Sequence, residues 1–191
     1  MPSMIFTYAT MNSGKSSSLI QVDYNYKENN MNTLVLTPEI DNRAGVGVVS
    51  SRVGISVPAT TFKSESNLFE ISKRSVENMD VKCILVDEAQ FLKRAQVEQL
   101  ARVVDELNTP VMAYGLRTDS FGQLFEGSAA LFALADELRE MRTVCRCMKK
   151  ATMVLRKDAD GNIVKSGAQI AIGGNDLYTP VCRKHFFEAF K

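Results

Sequence analysis

The chain has 191 residues, of which 45% are hydrophobic, and its 23 basic and 22 acidic residues give a formal net charge of +1. This length supports one α/β core with a small appendage, and the near-neutral charge gives no electrostatic reason to expect sequence-independent binding of nucleic acid. The apolar runs are too short for a membrane span and the N-terminus lacks the pattern of a signal peptide, so we expect a cytoplasmic protein that contacts no membrane.

The first two thirds of the sequence alternate short apolar strands with amphipathic helices. Continuous apolar runs, typical of parallel strands covered on both faces, predict strands at Met4–Tyr8, Thr33–Thr37, Cys83–Val86 and Pro110–Tyr114. Helical periodicity predicts helices at Lys15–Glu28, at Leu92–Leu107 and over Leu131, Leu134, Ala135 and Leu138. The alternation predicts an α/β fold with a doubly wound parallel sheet, in which ligands bind at the carboxyl ends of the strands.

Two regions depart from this alternation. Residues 41–61 carry three Gly, one Pro and weak apolar periodicity, which predicts a mobile loop or loose hairpin, and we expect residues 45–58 to become ordered when a ligand binds. After about Arg142 the pattern changes to short strand-like pieces at Ala151–Lys157 and Gln169–Ile172, separated by turns. We therefore predict two domains, residues 1–141 and residues 142–191.

Residues 4–16, MIFTYATMNSGKS, have the layout of a phosphate-binding loop, because an apolar run leads directly into small residues that end in Gly-Lys-Ser. At such a junction the backbone N–H groups and the helix dipole favour an anion. Gly14 allows the backbone to close around a phosphate, Lys15 neutralises its oxygens, and the Ser16 hydroxyl can hold Mg²⁺. The usual motif has Gly where this chain has Ala9, so an ordinary strand-to-helix turn stays open as an alternative.

The second chemical element is the run CILVDEAQF, residues 83–91, an apolar strand that ends in an acidic pair. P-loop proteins use this arrangement to bring a carboxylate to the metal beside the phosphates. Asp87 would hold Mg²⁺ directly or through water, and Glu88, one residue further along, would act on the acceptor. The alternative interpretation is a strand that ends in a solvated acidic turn.

The third element is a metal-binding pattern, because three of the four cysteines and the single histidine fall into two local pairs. Cys145 and Cys147 form the first pair, and Cys182 and His185 form the second. Three thiolates and an imidazole match the closed tetrahedral ligand set of a structural zinc site, which does not catalyse. The alternative is two pairs of reduced cysteines beside an unrelated histidine, while Cys83 is interpreted as a small core residue.

Taken together, TMNSGKS, DEAQF, YGLRTDSFGQLFEGS, IGGNDLYTPVC and the two metal pairs resemble the zinc-containing cytoplasmic thymidine kinases of bacteria, large DNA phages and animal cells, most closely the bacterial and phage branch. The resemblance covers Ile5 to His185. It implies a P-loop, recombinase-like ATP-binding core with a small zinc-ribbon-like C-terminal domain that carries a lasso loop. It also implies transfer of the γ-phosphate of MgATP to the 5′-hydroxyl of thymidine, and of deoxyuridine, with feedback inhibition by dTTP and a homotetrameric assembly.

The resemblance further implies roles for individual residues. Glu88 matches the catalytic carboxylate, and Cys145, Cys147, Cys182 and His185 match the ligands of a structural Zn²⁺. The implied ATP and Mg²⁺ site comprises Ala9, Thr10, Met11, Asn12, Ser13, Gly14, Lys15, Ser16, Asp41, Arg43, Asp87 and Gln90. The implied thymidine site comprises Met11, Leu116, Phe121, Gln169, Ile170, Ala171, Ile172, Gly173 and Tyr178, with Val154 at a position that tunes substrate choice.

One position departs from the family pattern, which usually has Phe where this chain has Ser120. The aromatic residue is next in sequence, at Phe121. Either a local shift allows Phe121 to cover the base, or that contact is lost.

Two other classes of protein remain as alternatives to a kinase. A P-loop ATPase that remodels nucleic acid would have a basic groove and an activity stimulated by DNA, which the near-neutral charge does not favour. A non-enzymatic zinc-ribbon interaction module would carry Gly14-Lys15-Ser16 and Asp87-Glu88 by coincidence. A Glu88→Gln variant distinguishes an enzyme from a non-enzymatic binding module, because only an enzyme would lose a reaction.

Overall fold

The computed structural model describes residues 1–43, 45–170, 173 and 177–191. Its strands are β1 (Met4–Ala9), β2 (Asn32–Pro38), β3 (Val48–Ser50), β4 (Ser56–Pro58), β5 (Thr60–Phe62), β6 (Val81–Val86), β7 (Val111–Leu116), β8 (Glu137–Glu140), β9 (Thr143–Val144), β10 (Lys150–Ala151), β11 (Met153–Arg156) and β12 (Tyr178–Val181). Its helices are α1 (Lys15–Glu28), α2 (Leu68–Met79), α3 (Arg94–Leu107), α4 (Glu126–Leu134) and α5 (Arg183–Ala189), and a 3₁₀ turn covers Ala89–Phe91.

Six strands form one parallel sheet in the order β5-β2-β6-β7-β1-β8. The register pairs Ala9 at the end of β1 with Leu116 at the end of β7. The segments that follow β1, β2, β6 and β7 therefore leave the sheet at the same edge, which confirms the predicted parallel α/β architecture. In such sheets ligands bind at this edge.

The sheet is covered on both faces, as its continuous apolar strands require. Within β6, Cys83 and Leu85 belong to the apolar cluster formed with α1. Ile84 and Val86 belong to the larger cluster on the opposite face, formed with α2, α3 and α4. Successive side chains of a strand point to opposite faces, so one short run of sequence supplies both halves of the core.

The four predicted strands and the helix at Lys15–Glu28 are present, with bounds that differ by no more than two residues. The predicted continuation of the fourth helix to Leu138 is wrong, because α4 ends at Leu134 and Leu138 lies in β8, opposite Phe6 of β1. Pairing with the edge of the sheet prevails there over helical periodicity. The sequence analysis predicted neither α2 nor the short strands β5 and β8.

The glycine-containing region between β2 and β5 forms the predicted hairpin. Strands β3 and β4 pair antiparallel, with Val49 opposite Val57. Val49 is buried and belongs to the same apolar cluster as α1, with Val57 packed against it. The hairpin therefore lies on the α1 side of the sheet, close to the loop that follows β1.

The C-terminal region has its own small buried cluster. Two antiparallel pairs, β9 with β10 and β11 with β12, precede α5. Met153, Leu155, Val181 and Phe186 are among the residues that pack together there. The predicted strand at Gln169–Ile172 is not seen at Gln169 and Ile170, Ala171 and Ile172 lie outside the described residues, and the division between residues 141 and 142 stays a prediction. Across the described part of the chain, no helix is long and apolar enough to cross a membrane.

Gly127 is where α4 meets the 3₁₀ turn. A Cβ atom added there would lie 2.6 Å from Ala89 O and 2.7 Å from Leu92 O, distances too short for backbone atoms that have no room to move. Gly→Ala within a helix normally stabilises by about 0.5–1 kcal/mol. We expect Gly127→Ala to do the opposite and to lower the free energy of unfolding by about 1–3 kcal/mol, measured by chemical denaturation.

Ala129 provides the matched control, because it lies on the same helix and is exposed. Ala129→Gly should cost about 0.5–1 kcal/mol through backbone entropy alone. The opposite substitutions at these two positions are thus both expected to destabilise the protein. A Gly127→Ala variant that is more stable than the wild type contradicts the close packing of α4 on the turn.

Candidate active site

The loop between β1 and α1 is shaped to present its backbone to an anion. Asn12 and Gly14 have φ values of 60° and 80°, in the left-handed region, and Gly14 is the N-cap of α1. Gly tolerates this conformation without a steric cost. The first N–H groups of α1 have no partner within the helix, and together with the helix dipole they favour a negative group at this end.

Lys15 folds back over this loop instead of extending into solvent. Its side-chain Nζ donates a hydrogen bond to Thr10 O at 2.8 Å, and the residue is 9% exposed. Burial lowers the pKa of Lys15, while the charges of Glu88 and Asp87 oppose that shift. The loop therefore holds a cation within a few residues of the N-terminus of α1.

Asp87 joins the end of β6 to the first turn of α1. Its Oδ2 accepts a hydrogen bond from Ser16 Oγ at 3.0 Å, whereas its Oδ1 is buried with no hydrogen-bond partner among the described residues. Burial, reinforced by the charge of Glu88, raises the pKa of Asp87 to about 7. A buried carboxylate oxygen without a partner is costly, and a hydroxyl beside it completes a donor set suited to a hard cation.

Glu88 is held by two side chains from different parts of the chain. Its Oε1 accepts a hydrogen bond from Arg43 Nη2, and its Oε2 accepts one from Gln90 Nε2. Gln90 is 2% exposed and also accepts a hydrogen bond from Leu116 N at 2.9 Å, so it connects Glu88 to the end of β7. The backbone of Glu88 is left-handed, with φ of 47°, a conformation that costs a non-glycine residue energy and is often found at functional sites.

Arg43 and Asp41 form a bidentate pair above Glu88. Arg43 Nε and Nη2 donate to the two oxygens of Asp41 at 2.6 and 2.7 Å. The hydrogen bonds to Asp41 and the charge of Glu88 raise the pKa of Arg43 in spite of its partial burial. The structure therefore brings the predicted Asp-x-Arg segment to the carboxylate of Glu88, in keeping with a site that handles charged ligands.

These groups face a single cavity of about 720 Å³, a volume within the usual range for small-molecule sites. Residues that the sequence analysis assigned to ATP or thymidine make up much of its wall: Met11, Asn12, Ser13, Gly14, Lys15, Ser16, Asp41, Arg43, Asp87, Glu88, Gln90, Leu116, Gln169, Ile170, Gly173 and Tyr178. Val154 lines it as well. Ala9, at the end of β1, and Thr10, the first residue of the loop, are buried but do not belong to this wall.

Phe121 is the described residue that departs most from expectation. It does not line the cavity, whereas its neighbour Ser120 does. The guanidinium of Arg156 lies 5.3 Å from the centre of the Phe121 ring. The shift that would bring this ring over a base is therefore not observed, and the predicted positions Ala171 and Ile172 lie outside the described residues.

Sequence reasoning did not assign a role to Arg52, which lies between β3 and β4. Arg52 lines the cavity, and its Nη1 donates a hydrogen bond to Asn12 Oδ1 in the loop after β1. The hairpin thus contacts the anion-binding loop through a cationic side chain. The single sequence signal for this residue is a basic side chain within a segment expected to become ordered with ligand.

The cysteine and histidine pairs come together as a second site. Cys145 Sγ lies 3.1 Å from His185 Nδ1, Cys147 Sγ lies 3.8 Å from Cys182 Sγ, and the four ligand atoms all lie within 4.8 Å of one another. A tetrahedral zinc ion with Zn–S bonds of about 2.3 Å needs sulfur atoms about 3.8 Å apart. The cluster can therefore hold zinc, and none of its four residues lines the cavity.

A parallel α/β sheet whose carboxyl edge carries an anion-binding loop, a buried lysine and an acidic pair defines a nucleotide-binding phosphotransferase of the P-loop class. The family model described as thymidine kinase matches residues 2–186. The chain is 54% identical to a thymidine kinase of Haemophilus influenzae over 98% of this chain and 97% of that protein. It is 56% identical to one of Mannheimia succiniciproducens, over 97% and 95%, and 53% identical to one of Jannaschia sp., over 99% and 97%.

The chain therefore belongs to the thymidine kinase family. It is a kinase, as the sequence predicted, and this excludes the interpretation as a non-enzymatic zinc-ribbon module.

The raised pKa of Asp87 predicts a dependence of stability on pH in buffer free of Mg²⁺. The folded protein holds a proton on Asp87 more tightly than the unfolded chain, whose Asp has a pKa near 3.9. The ionised Asp87 therefore destabilises the fold, and this contribution grows as pH rises from about 4 to about 7. We expect Asp87→Asn to melt at a higher temperature than the wild type at pH 8, with the difference narrowing towards pH 5.

Asp80→Asn is the control, because the side chain of Asp80 is 79% exposed and its substitution should leave the pH dependence of melting unchanged. If the melting temperatures of the wild type and Asp87→Asn differ by the same amount at pH 5 and at pH 8, the burial of an ionisable Asp87 is contradicted.

Proposed function

We propose that this protein transfers the γ-phosphate of ATP to the 5′-hydroxyl of thymidine and produces dTMP. The relatives named thymidine kinase support the choice of acceptor. The observation that carries the proposal is the position of Glu88, which Arg43 and Gln90 hold in the cavity that Lys15 and Ser16 also line. A base beside an anion-binding loop is what phosphoryl transfer to a hydroxyl requires.

The ATP phosphates would bind at the N-terminus of α1. The left-handed Asn12 and Gly14 turn the loop towards the cavity, and Lys15 offsets the negative charge of the phosphate oxygens. Ser16 and Asp87 would hold Mg²⁺, and the unpartnered Oδ1 of Asp87 supports this fit. When bound, Mg²⁺ supplies positive charge to the phosphates between which the bond breaks.

Glu88 would accept the proton of the 5′-hydroxyl as the oxygen attacks the γ-phosphorus. The hydrogen bonds from Arg43 and Gln90 fix both carboxylate oxygens, which reduces the freedom lost on reaching the reactive geometry. Because Gln90 also contacts Leu116 N, it couples the orientation of Glu88 to the wall on which we place the nucleoside.

The nucleoside would occupy the less charged part of the cavity. Leu116, Phe125, Val154 and Tyr178 line it there and offer apolar and aromatic surface to a methylated pyrimidine. The predicted contacts of Met11, Gln169, Ile170 and Gly173 agree with their positions in the wall. Those of Ala171 and Ile172 stay predictions from the family resemblance, whereas Phe121 lies outside the cavity wall.

The decisive variant is Glu88→Gln, which keeps the size of the side chain and one of its two hydrogen-bond acceptors but removes the base. General base catalysis typically contributes about 10²–10⁴-fold, so we expect kcat to fall by that factor while ATP and thymidine binding change little. The assay follows labelled γ-phosphate from MgATP to thymidine, deoxycytidine, deoxyadenosine or no acceptor.

Glu98→Gln is the matched control, because Glu98 is an exposed residue of α3 paired with Arg94. It should retain full activity. Labelled product with thymidine, lost in Glu88→Gln alone, supports the proposal. Hydrolysis of ATP without a nucleotide product would contradict it and favour the P-loop ATPase alternative.

We also infer that Cys145, Cys147, Cys182 and His185 hold a structural zinc ion. All four ligand positions of the tetrahedron are protein atoms, so no position is left for a substrate. The ion would join the turn between β9 and β10 to the start of α5. A C-terminal region of about 50 residues has little core of its own, and metal binding would contribute to its folding.

Removal of zinc is expected to abolish thymidine binding before ATP binding, because the C-terminal region supplies Gln169 and Tyr178 to the cavity but none of the loop after β1. Metal analysis should find one zinc per chain in the wild type and none in Cys147→Ser. Cys83→Ala is the control, since Cys83 lies in β6 outside the cluster. If a chelator abolishes thymidine binding and ATP binding at the same time, the proposed role of zinc in thymidine binding is contradicted.

Feedback inhibition by dTTP and assembly into a homotetramer are further proposals from the family resemblance, as is a cytoplasmic location. A cavity in which we place both a nucleoside and phosphates would also suit a thymidine triphosphate. The edge strand β8 has four exposed residues, and an exposed edge is available for contact with another chain. We expect inhibition by dTTP to weaken as the concentration of thymidine rises. We also expect light scattering to give the mass of four chains, and the mass of a single chain would contradict the assembly.

A further inference from the structure

Ser120 carries a buried hydroxyl that the reaction described above does not use. The residue is 2% exposed and lines the cavity, and its Oγ has no hydrogen-bond partner among the residues described. A buried hydroxyl without a partner costs free energy, so its presence in a cavity wall points to a group supplied by a ligand. Two other buried oxygens without a partner among the described residues belong to the wall: Asp87 Oδ1, which already has a role in our proposal, and Ser51 Oγ.

The loop that carries Ser120 is fixed by the neighbouring carboxylate. Asp119 is 3% exposed, and its Oδ1 accepts hydrogen bonds from Phe121 N at 2.8 Å and Gln123 N at 2.9 Å. Its Oδ2 accepts a hydrogen bond from Gln169 Nε2 at 2.8 Å. With both oxygens occupied, Asp119 fixes the backbone that follows Ser120, so the turn that carries this hydroxyl in the cavity wall is rigid.

The same turn directs the neighbouring ring elsewhere. Phe121 lies against the guanidinium of Arg156, which is itself buried and donates a hydrogen bond to Ala168 O at 2.8 Å. Moving the Phe121 ring into the cavity would break its contact with Arg156, and a shift of the backbone would also break the hydrogen bond from Phe121 N to Asp119. The structure therefore assigns this part of the wall to a small hydroxyl and not to an aromatic ring.

The surroundings of Ser120 indicate which part of a ligand it meets. Between residues 116 and 125, the residues that line the cavity are Leu116, Ser120 and Phe125, so Ser120 supplies the polar side chain of an otherwise apolar segment. The groups to which we assign phosphate binding, Lys15 and Ser16, are the first two residues of α1. A flat heterocycle with an apolar face and a polar edge suits this wall better than a phosphate does.

We propose that the Ser120 hydroxyl forms a hydrogen bond with the polar edge of the pyrimidine base and is a specificity-determining residue of the nucleoside site. This inference rests on the proposed function. A hydroxyl can both donate and accept, and pyrimidine edges carry carbonyl acceptors and an N–H donor. Binding of the base would satisfy the oxygen that the free protein leaves without a partner.

Ser120→Ala tests the proposal. Loss of one uncharged hydrogen bond should raise the KM and Kd for thymidine about two- to tenfold and leave the KM for ATP unchanged. Because the substitution removes a buried hydroxyl that the free protein does not satisfy, the melting temperature of the ligand-free protein should not fall. An unchanged Kd for thymidine would overturn the proposal.

Ser72→Ala is the matched control. Ser72 lies on α2, is fully buried and also has an Oγ without a partner in the described part of the chain, but it does not line the cavity. Its substitution should leave thymidine binding unchanged. If both variants behave alike towards thymidine, Ser120 is merely a buried serine and the assignment fails.

Thymidine analogues distinguish the base from the sugar. The affinity of Ser120→Ala relative to the wild type should fall by the same factor for 3′-deoxythymidine as for thymidine. If the two proteins bind 3′-deoxythymidine equally well, Ser120 contacts the sugar and the base contact is overturned. The wild-type protein distinguishes failure of the proposed function from failure of the Ser120 assignment. If it neither binds nor phosphorylates thymidine, the proposed function fails, whereas a normal wild type with an unaffected Ser120→Ala variant refutes the Ser120 assignment alone.

Discussion

The burial of opposite charges at the carboxyl edge of the sheet is the constraint around which the rest of the molecule is arranged. Lys15 and Asp87 are both less than 10% exposed, and a buried charge is tolerated when hydrogen bonds or an opposite charge compensate for lost water. Thr10 and Ser16 supply those contacts from the loop and helix that follow β1. The register of the parallel strands fixes this compensation, because it brings the ends of β1 and β6 to the same edge of the sheet.

Two glycines, Gly115 and Gly127, determine the geometry of Glu88 as much as its hydrogen bonds do. The turn that follows Glu88 lies between Gly115 of β7 and Gly127 of α4, and a Cβ atom at Gly115 would lie 3.0 Å from Gln90 N. This close approach allows Gln90 to reach both Glu88 and Leu116. The left-handed backbone of Glu88 is retained because these surrounding contacts over-determine it, so the orientation of this carboxylate depends on packing behind it.

The sequence was sufficient wherever the determining signal is local. Apolar runs predicted the parallel strands, and the Gly14-Lys15-Ser16 triplet predicted the junction of β1 and α1, because each depends on residues close together in sequence. The Cys/His pairs predicted a cluster although they lie 35 residues apart, because these residue types share a chemistry that indicates a common site. Contacts between distant segments were not predictable in this way. Pairing with β1 makes Leu138 part of a strand, and the contact with Arg156 holds Phe121 outside the cavity; neither partner is indicated by local periodicity.

The same distinction separates the two ends of the cavity, at which we propose that the phosphates and the nucleoside bind. The phosphate end is built from one continuous loop and the strand ends beside it, so its geometry depends on the central sheet. The nucleoside end depends on long-range attachments: Arg156 of β11 pairs with Tyr178 of β12 and holds Ala168, while Gln169 is tied to Asp119. Loss of the C-terminal framework would therefore remove Gln169 and Tyr178 from the cavity wall and leave the loop after β1 in place, which makes the proposed recognition of the nucleoside more vulnerable than the proposed binding of phosphates.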